Sequence, residues 1–421
     1  MMRQNLSMAS FPVERVRRQF PALQHSKDFI FFDNAAGAQI PQVVLDAVND
    51  HLVSRNVQRG GRYEKSCAVD AMIARAREAV AMFLNARYAD EVAFGMNATS
   101  FLRLVSLAIA ESLRERPEVI VTDMDHEANI AVWLALERSG ATIRWWRIRD
   151  DGMLYVDDLD ELLNKKTRLV ACAAASNAVG SLVDVAEVAR RAHAVGAEVL
   201  LDAVHYGPHG LFDVQEWDCD YLVCSGYKIF APHMGFLWGK REALAKLRTF
   251  REDFIPDVAP GKIEAGTFVY ENVAGMEAAV AYLQSLDPAP RPSEPTRRPS
   301  LVRAMEAVRE YEVSLSRAFL DKLGRMGRVT VYGLRDPELV RDRVPTFCFN
   351  IEGISPAVVS TRLAEQGIGV RDGHMYSPRL MNRLGLTKDT GAVRVSLVHY
   401  NTEEEIQIFA SALAEISEFA E

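Results

Sequence analysis

CDYLVCSGYKIFAPHMGFLWG, residues 219–239, sets two apolar runs on either side of a single lysine, Lys228. The first run ends at Ser225-Gly226 and reads as a buried strand; MGFLWG reads as a second. Upstream, short apolar runs of the same kind recur as AEVLLDAVHY (197–206), TRLVACAAAS (167–176), TIRWWRI (142–148), EVIVTDMDH (118–126) and EVAFGM (91–96). Between them, FLRLVSLAIAESLRE (101–115), ANIAVWLALERSG (128–140) and VAEVARRAHAVG (185–196) carry apolar residues at helical spacing. Two of the three run out at glycine, as helices often do. Strands alternating with helices of that length predict an α/β sheet, largely parallel, joined by right-handed crossovers.

A chain of 421 residues, 49% hydrophobic, exceeds what one compact domain usually holds. LDPAPRPSEPTRRPS (286–300) has five prolines among polar residues and no apolar period, which marks a linker. Beyond it come a long helical pattern (301–323), the strands RVTVYG and TFCFNIEG, and the helix PAVVSTRLAEQG. A strand at Gly369 to Val370, another at AVRVSLV and a closing helix from Glu403 complete a small α+β domain. The expected division is a large domain over 29–285, a small C-terminal domain over 286–421, and a segment 1–28 associated with the small domain.

Lys and Arg number 49 against 57 Asp and Glu, a net charge of −8, so a polyanionic backbone would not be attracted and nucleic acid is not an expected partner. The opening residues lack the apolar stretch of a signal peptide, and no run reaches the roughly 18 apolar residues of a membrane span. A cytoplasmic location, with no membrane partner, is the expectation. The five cysteines, Cys67, Cys172, Cys219, Cys224 and Cys348, show neither metal-site spacing nor a disulfide framework. His205 and His209 mimic a helical metal pair, but Gly207 and Pro208 between them break such a helix and a third ligand is lacking, so no metal is expected. Gly367-Ile-Gly369 lacks the third glycine of a dinucleotide fingerprint.

A lone lysine at a strand end ordinarily snorkels to solvent. Asp202 changes that reading for Lys228, because it too ends a strand, at the edge where ligands of open α/β sheets sit. A carboxylate there can keep a pyridine nitrogen protonated, and a desolvated lysine amine can form a Schiff base. The pair therefore predicts pyridoxal 5′-phosphate, whose ring serves as an electron sink for a substrate carbanion.

Asp202-Ala-Val-His205 followed by Ser225-Gly-Tyr-Lys228 resembles the cofactor signature of group II cysteine desulfurases and selenocysteine lyases, within the class V aminotransferases. The likeness extends through FFDNAAGAQIP (31–41), DHEAN, SNAVGS, the AGT of residues 265–267, and VRDGH, VRVS and YNTEEE near the end. It implies the fold-type I architecture of pyridoxal-phosphate enzymes: a large domain with a mostly parallel seven-stranded sheet, a smaller α+β domain, and a homodimer with shared active sites.

Position by position, the resemblance makes Lys228, His126 and Asp202 the catalytic set, with His126 stacking on the cofactor ring and shuttling protons. Asn177 would lie near the cofactor's phenolic oxygen or the substrate carboxylate, and His205 replaces a family glutamine that donates to that ring oxygen. Ala98 and Thr99, at a helix start, and Ser225 would hold the phosphate. Tyr227 stands where relatives have histidine, and a phenol can make a similar bond. Thr267 would reach the partner subunit's phosphate, and Arg59 the neighbouring active site. Arg394 would grip the α-carboxylate of an amino-acid substrate through its guanidinium fork, with Arg371 as a second site arginine. Taken as isolated residues, His126, Asn177, Thr99, Thr267 and Arg394 would read as surface, turn or cap residues; their joint occurrence favours the site.

One position departs from the pattern. Desulfurases carry a persulfide-accepting cysteine after an Arg-x-Gly-His motif; here Arg371-Asp-Gly-His374 is followed by Met375 and Tyr376, and no cysteine occurs after Cys348. The expected function is a carbon–sulfur or other β-eliminating lyase working through an external aldimine and a quinonoid without persulfide relay. A class V aminotransferase or an epimerase is the alternative, and a non-catalytic cofactor-bound scaffold a distant one.

Overall fold

The computed structural model describes residues 11–418 apart from 265, 292–296 and 388. Ala265 of the AGT motif, the first ten residues and the middle of the proline-rich stretch therefore lie outside the described residues. Strand β1 is Ile30–Phe31. Seven further strands, β2 (Val92–Gly95), β3 (Glu118–Thr122), β4 (Thr142–Trp146), β5 (Thr167–Ala173), β6 (Glu198–Asp202), β7 (Tyr221–Ser225) and β8 (Gly235–Gly239), form one sheet in the order β2-β8-β7-β6-β5-β3-β4. The five from β7 to β4 are parallel, while β8 runs antiparallel to both its neighbours.

Side chains of this sheet alternate between two apolar layers, as the period of two demands. Ile120, Val170, Cys172, Leu201 and Leu222 face a core completed by the helices Glu64–Leu84 and Tyr270–Gln284. Val119, Val121, Ala171, Leu200 and Val223 face the layer of Phe101, Val105 and Trp133, from the helices Ala98–Ile109 and Ala128–Leu134. Covering on both sides explains why these strands read as continuous apolar runs. No helix among the described residues is long and apolar enough to cross a membrane.

The remaining strands are β9 (Val329–Tyr332), β10 (Thr346–Ile351), β11 (Ile368–Gly369), β12 (Arg371–Gly373) and β13 (Ala392–Ser396). An antiparallel sheet runs β12-β13-β10-β9, while β11 pairs in parallel with β1. The single strand expected at 369–370 is thus two, split at Val370. Ile368–Gly369 serves the N-terminal segment, through Ile30 N–H to the Gly367 carbonyl (2.8 Å) and Phe32 N–H to the Gly369 carbonyl (3.0 Å), before the chain turns to β13.

The linker also ends earlier than the composition suggests. A helix spans Arg298–Leu323, because Pro299 fits a helix's first turn, where its missing N–H costs nothing. Leu301, Met305 and Val308 pack into the large core, and Val313, Phe319 and Leu320 into the core of the smaller sheet, so this one helix ties the two together.

Gly235, opening β8, sits where the start of the Ala98–Ile109 helix comes closest to the sheet. A Cβ there would stand 2.6 Å from Asn97 Cα and 3.0 Å from the Ala98 nitrogen, both backbone atoms. Gly235→Ala must therefore push that helix start away. The expected loss is about 1–3 kcal/mol in urea unfolding; a variant as stable as the parent would show that the helix start is not held by this contact.

Candidate active site

The C-terminal ends of the parallel strands open into a cavity of roughly 330 Å³ at the junction with the smaller sheet. Lys228 projects into it from the turn after β7, a short 3-10 stretch Gly226–Lys228. That turn is tied by Gly226 N–H to the Met234 carbonyl (2.7 Å) and Ala231 N–H to the Gly226 carbonyl (3.0 Å). The Lys228 amine donates to the Ala35 carbonyl and lies 4.9 Å from the centre of the Tyr227 ring. Burial, reinforced by Arg394 and opposed by Asp33, brings its pKa down to about 7, so much of it is the free amine near neutrality.

Asp202 ends β6 on the cavity wall, with one oxygen accepting the Val204 N–H at 3.0 Å. Burial raises its pKa to about 6, against the pull of that bond and of Lys228. His126 follows β3. Its Nδ1 accepts the Ala128 N–H at 3.0 Å, which leaves the ring proton on Nε2. Burial first, then Lys228 and Arg394, lower its pKa to about 4, so it is a neutral imidazole at physiological pH. Beneath it, the buried Asp125 accepts from Thr122 Oγ1, Asn129 Nδ2 (2.6 Å) and the Ala173 N–H (3.1 Å), fixing the turn that presents His126; burial pushes Asp125 up to about 7.

The start of the Ala98–Ile109 helix lines another part of the cavity. Its cap is Asn97, whose side chain accepts the Ser100 N–H at 2.9 Å. Capping by Asn97 leaves the Thr99 hydroxyl uncommitted to that task, and Ser225 Oγ lies 3.1 Å from the Ala98 nitrogen, accepting its N–H. Ala98, Thr99 and Ser225 thus collect donors at a helix N-terminus, an arrangement suited to a phosphate. Tyr227, stacked on His233 at 4.9 Å, and His205 also border the cavity. His205 Nε2 is 2.9 Å from Thr346 Oγ1, whereas His209 turns to Glu312 at 2.8 Å.

Arg394 on β13 and Arg371 on β12 face each other across the strand pair. Like charges directly opposite repel. Asp33, just after β1, sits against both, 3.0 Å from Arg394 and 2.7 Å from Arg371. A second Arg394 nitrogen donates to the Asn177 carbonyl at 2.9 Å. The Asn177 side chain borders the cavity but is engaged by a loop: its amide donates to the Met375 carbonyl (2.8 Å) and accepts from Ser377 Oγ (3.1 Å). In that loop Met375 and Tyr376 both have positive φ, 52° and 58°. His374 Nδ1 accepts the Tyr376 N–H (3.0 Å), and the Tyr376 carbonyl accepts the Glu127 N–H (2.7 Å). Such strain persists only where surrounding contacts over-determine it.

The cavity therefore gathers every site residue expected from the sequence except Thr267 and Arg59. Thr267 is exposed and its hydroxyl accepts from Gln58 at 2.8 Å; Arg59, beside Gln58, pairs with Asp70 at 3.1 Å. These two form a separate surface patch. Asp33, Asp125 and Asn97 were not assigned roles from the sequence, although Asp33 and Asp125 lie within quoted motifs; an aspartate beside the motif residues was the available signal.

The donor set fits pyridoxal phosphate: helix-start N–H groups and hydroxyls for a phosphate, a buried carboxylate for a ring nitrogen, and an amine near neutrality for the aldehyde. Only the free amine can attack that aldehyde. The rate at which apoprotein takes up the cofactor, followed by visible absorbance, should level off above about pH 7 instead of climbing toward the ordinary lysine value of 10.5. A rate still rising well into the alkaline range would contradict the environment described for Lys228, and Lys228→Ala should develop no stable band.

The aminotransferase class-V profile matches residues 30–296 and 300–409. Among relatives, aminotransferase-like protein FGM3 of Gibberella zeae is 36% identical, over 97% of this chain and 99% of its own. A probable cysteine desulfurase of Synechocystis sp. is 32% identical over 94% of each. Among solved structures, the cysteine desulfurase CsdA of Escherichia coli superposes with a TM-score of 0.82 at 26% identity, covering 97% of this chain and 99% of that one. The apo cysteine desulfurase of Thermococcus onnurineus shares the fold, with a TM-score of 0.87 at 24% identity and the same coverage. The chain belongs to the class-V aminotransferase family and is a pyridoxal-phosphate enzyme of the cysteine-desulfurase-like kind.

Proposed function

We propose that the enzyme is a β-eliminating lyase acting on a cysteine-like amino acid without persulfide relay. The observation that carries this reading is the cavity wall, which Tyr376 helps to form and to which, among the described residues, no thiol contributes. Cys172, Cys219, Cys224 and Cys348 are buried, and burial raises the pKa of each, the opposite of what a nucleophilic thiolate needs. Cys67 is exposed on the Glu64–Leu84 helix, outside the cavity lining.

The residues then divide the work as follows. Arg394, with Arg371, takes the α-carboxylate, which replaces Asp33 as the counter-charge. Lys228 Nζ, whose pKa of about 7 leaves much of it as the free amine, accepts the α-proton. His126, with its proton on Nε2, donates to the departing sulfur. Bound pyridoxal phosphate supplies the electron sink, held in this step by Asp202 and the donors at Ala98, Thr99 and Ser225, which leaves Lys228 free to act as the base. Loss of the β-thiol and hydrolysis would convert cysteine and water into pyruvate, ammonia and sulfide, with no protein sulfur involved.

Transamination begins with the same proton transfer, and the 36% identical relative bears the aminotransferase-like name. In either reading, the exposed Thr267 and Arg59 patch suits a homodimer in which each subunit completes the other's site, in a cytoplasmic enzyme. The sequence-based division into domains at 29–285 and 286–421 is retained as part of the same proposal.

Holoenzyme given cysteine and S-substituted cysteines should release pyruvate in step with the thiol or sulfide. Alanine with sulfane sulfur on the protein would instead mark desulfuration, and keto-acid-dependent amine transfer without pyruvate would select the aminotransferase. Arg394→Lys removes a planar two-point grip that an ammonium cannot copy. Its kcat/KM should fall by about 10- to 100-fold through KM, with cofactor absorbance retained; an unchanged KM would place the carboxylate elsewhere.

A further inference from the structure

A second cavity, of roughly 400 Å³, lies beside the catalytic one. Asp123, Trp145, Arg147, Arg379, Asn382 and Arg383 line it. Two chain segments serve both cavities. The turn after β3 gives Asp123 to one and His126 to the other, and the segment after β12 gives Arg379 to one and Tyr376 to the other. Trp145 belongs to the C-terminal end of β4, so both cavities lie along the sheet edge where open α/β folds bind ligands.

Three guanidiniums meet there, and two of them are arranged by an aromatic ring. Arg379 and Arg147 lie 5.0 and 5.7 Å from the Trp145 ring centre, within cation–π range. Each of the three has a carboxylate nearby, but only at 3.4 to 4.0 Å. Asp123 reaches Arg147 only at 3.5 Å, is buried, gives one oxygen to the Ile148 N–H (2.9 Å), and is disfavoured as an anion by that burial. Asp150 is fully exposed and 4.0 Å from Arg383, a contact that water screens. Glu127 stands 3.4 Å from Arg379, yet neither Glu127 Oε2 nor Arg379 Nε has a hydrogen-bond partner.

A cleft with three guanidiniums and one buried carboxylate in its wall, whose forks are only partly engaged, Arg383 through its Nε to the Ile148 carbonyl (3.1 Å), concentrates anions. We propose that this cavity binds a small oxyanion group, carboxylate or phosphate, between Arg147, Arg379 and Arg383, with Trp145 holding two of the three in place. The group can come from the distal acid of the amino-acid substrate or from a free anion. The first source rests on the lyase reading above; binding itself does not. An anion that draws Arg379 from Glu127 acts directly on the segment bearing His126, since the Glu127 N–H also holds the Tyr376 carbonyl.

Arg147 and Arg383 have side chains 59% and 41% exposed, so Arg147→Gln/Arg383→Gln should fold like the parent, as equal thermal unfolding without added anion would verify. Tryptophan fluorescence of the holoenzyme, titrated with inorganic phosphate and separately with glutarate, should change saturably in the parent. In the double variant that response should vanish or weaken about tenfold. In a kinetic arm, S-carboxymethylcysteine is compared with S-methylcysteine. A distal substrate acid would appear as a preference for the carboxymethyl compound that the variant loses about tenfold. A free-anion site would appear as saturable fluorescence without that preference. Fluorescence that stays flat in the parent, or responds alike in both proteins, overturns the proposal. Failure of the lyase reading would silence the kinetic arm alone, because the fluorescence arm needs no turnover.

Discussion

Three basic side chains, Lys228, Arg371 and Arg394, converge on one cavity, and the architecture of the site follows from keeping them there. Arg394 is only 2% exposed, and the β12–β13 register sets it directly against Arg371. Asp33 is the counter-charge that makes this tolerable. It comes from the opposite end of the chain, so the ion cluster also fastens the N-terminal segment to the smaller sheet, next to the parallel β1–β11 pairing. Burial, with Arg394 and Arg371 adding to it, drives Lys228 toward its free amine. Structural and chemical demands thus meet in one electrostatic arrangement.

A second constraint operates at the rim. Two successive non-glycine residues in the left-handed region, Met375 and Tyr376, cost on the order of 1–3 kcal/mol each. Contacts from Asn177, His374 and Glu127 hold them, and these come from three separate segments. Asn177 therefore serves the loop in addition to lining the cavity. Tyr376 keeps a fixed backbone and an exposed ring 5.5 Å from His126. A change in this loop reshapes the cavity wall beside His126 while leaving in place the residues that line it from the large sheet.

The sheet and most of the candidate site residues were legible in the local pattern of the chain. Burial on both faces forces apolar runs, crossovers force helices between them, and Lys228 and Asp202 end two adjacent strands, so the pair was legible as strand-end chemistry. His126, Arg394 and the helix start at Ala98–Thr99 were legible through their place in a distributed motif. Tertiary structure alone decided the rest. Asp33 and Arg371 stand 338 residues apart along the chain, and no local period encodes a contact at that separation. Asn97, not Thr99 or Ser100, caps the helix, since any of three neighbouring polar residues satisfies the pattern and only the backbone geometry selects one. The split of β11 from β12 depends on two competing partners, and the arginine cavity on six residues of three segments meeting across the sheet edge. A sequence window records whether a side chain is buried; which charges share that burial, and so what pKa each acquires, is settled only when distant strands are brought into register.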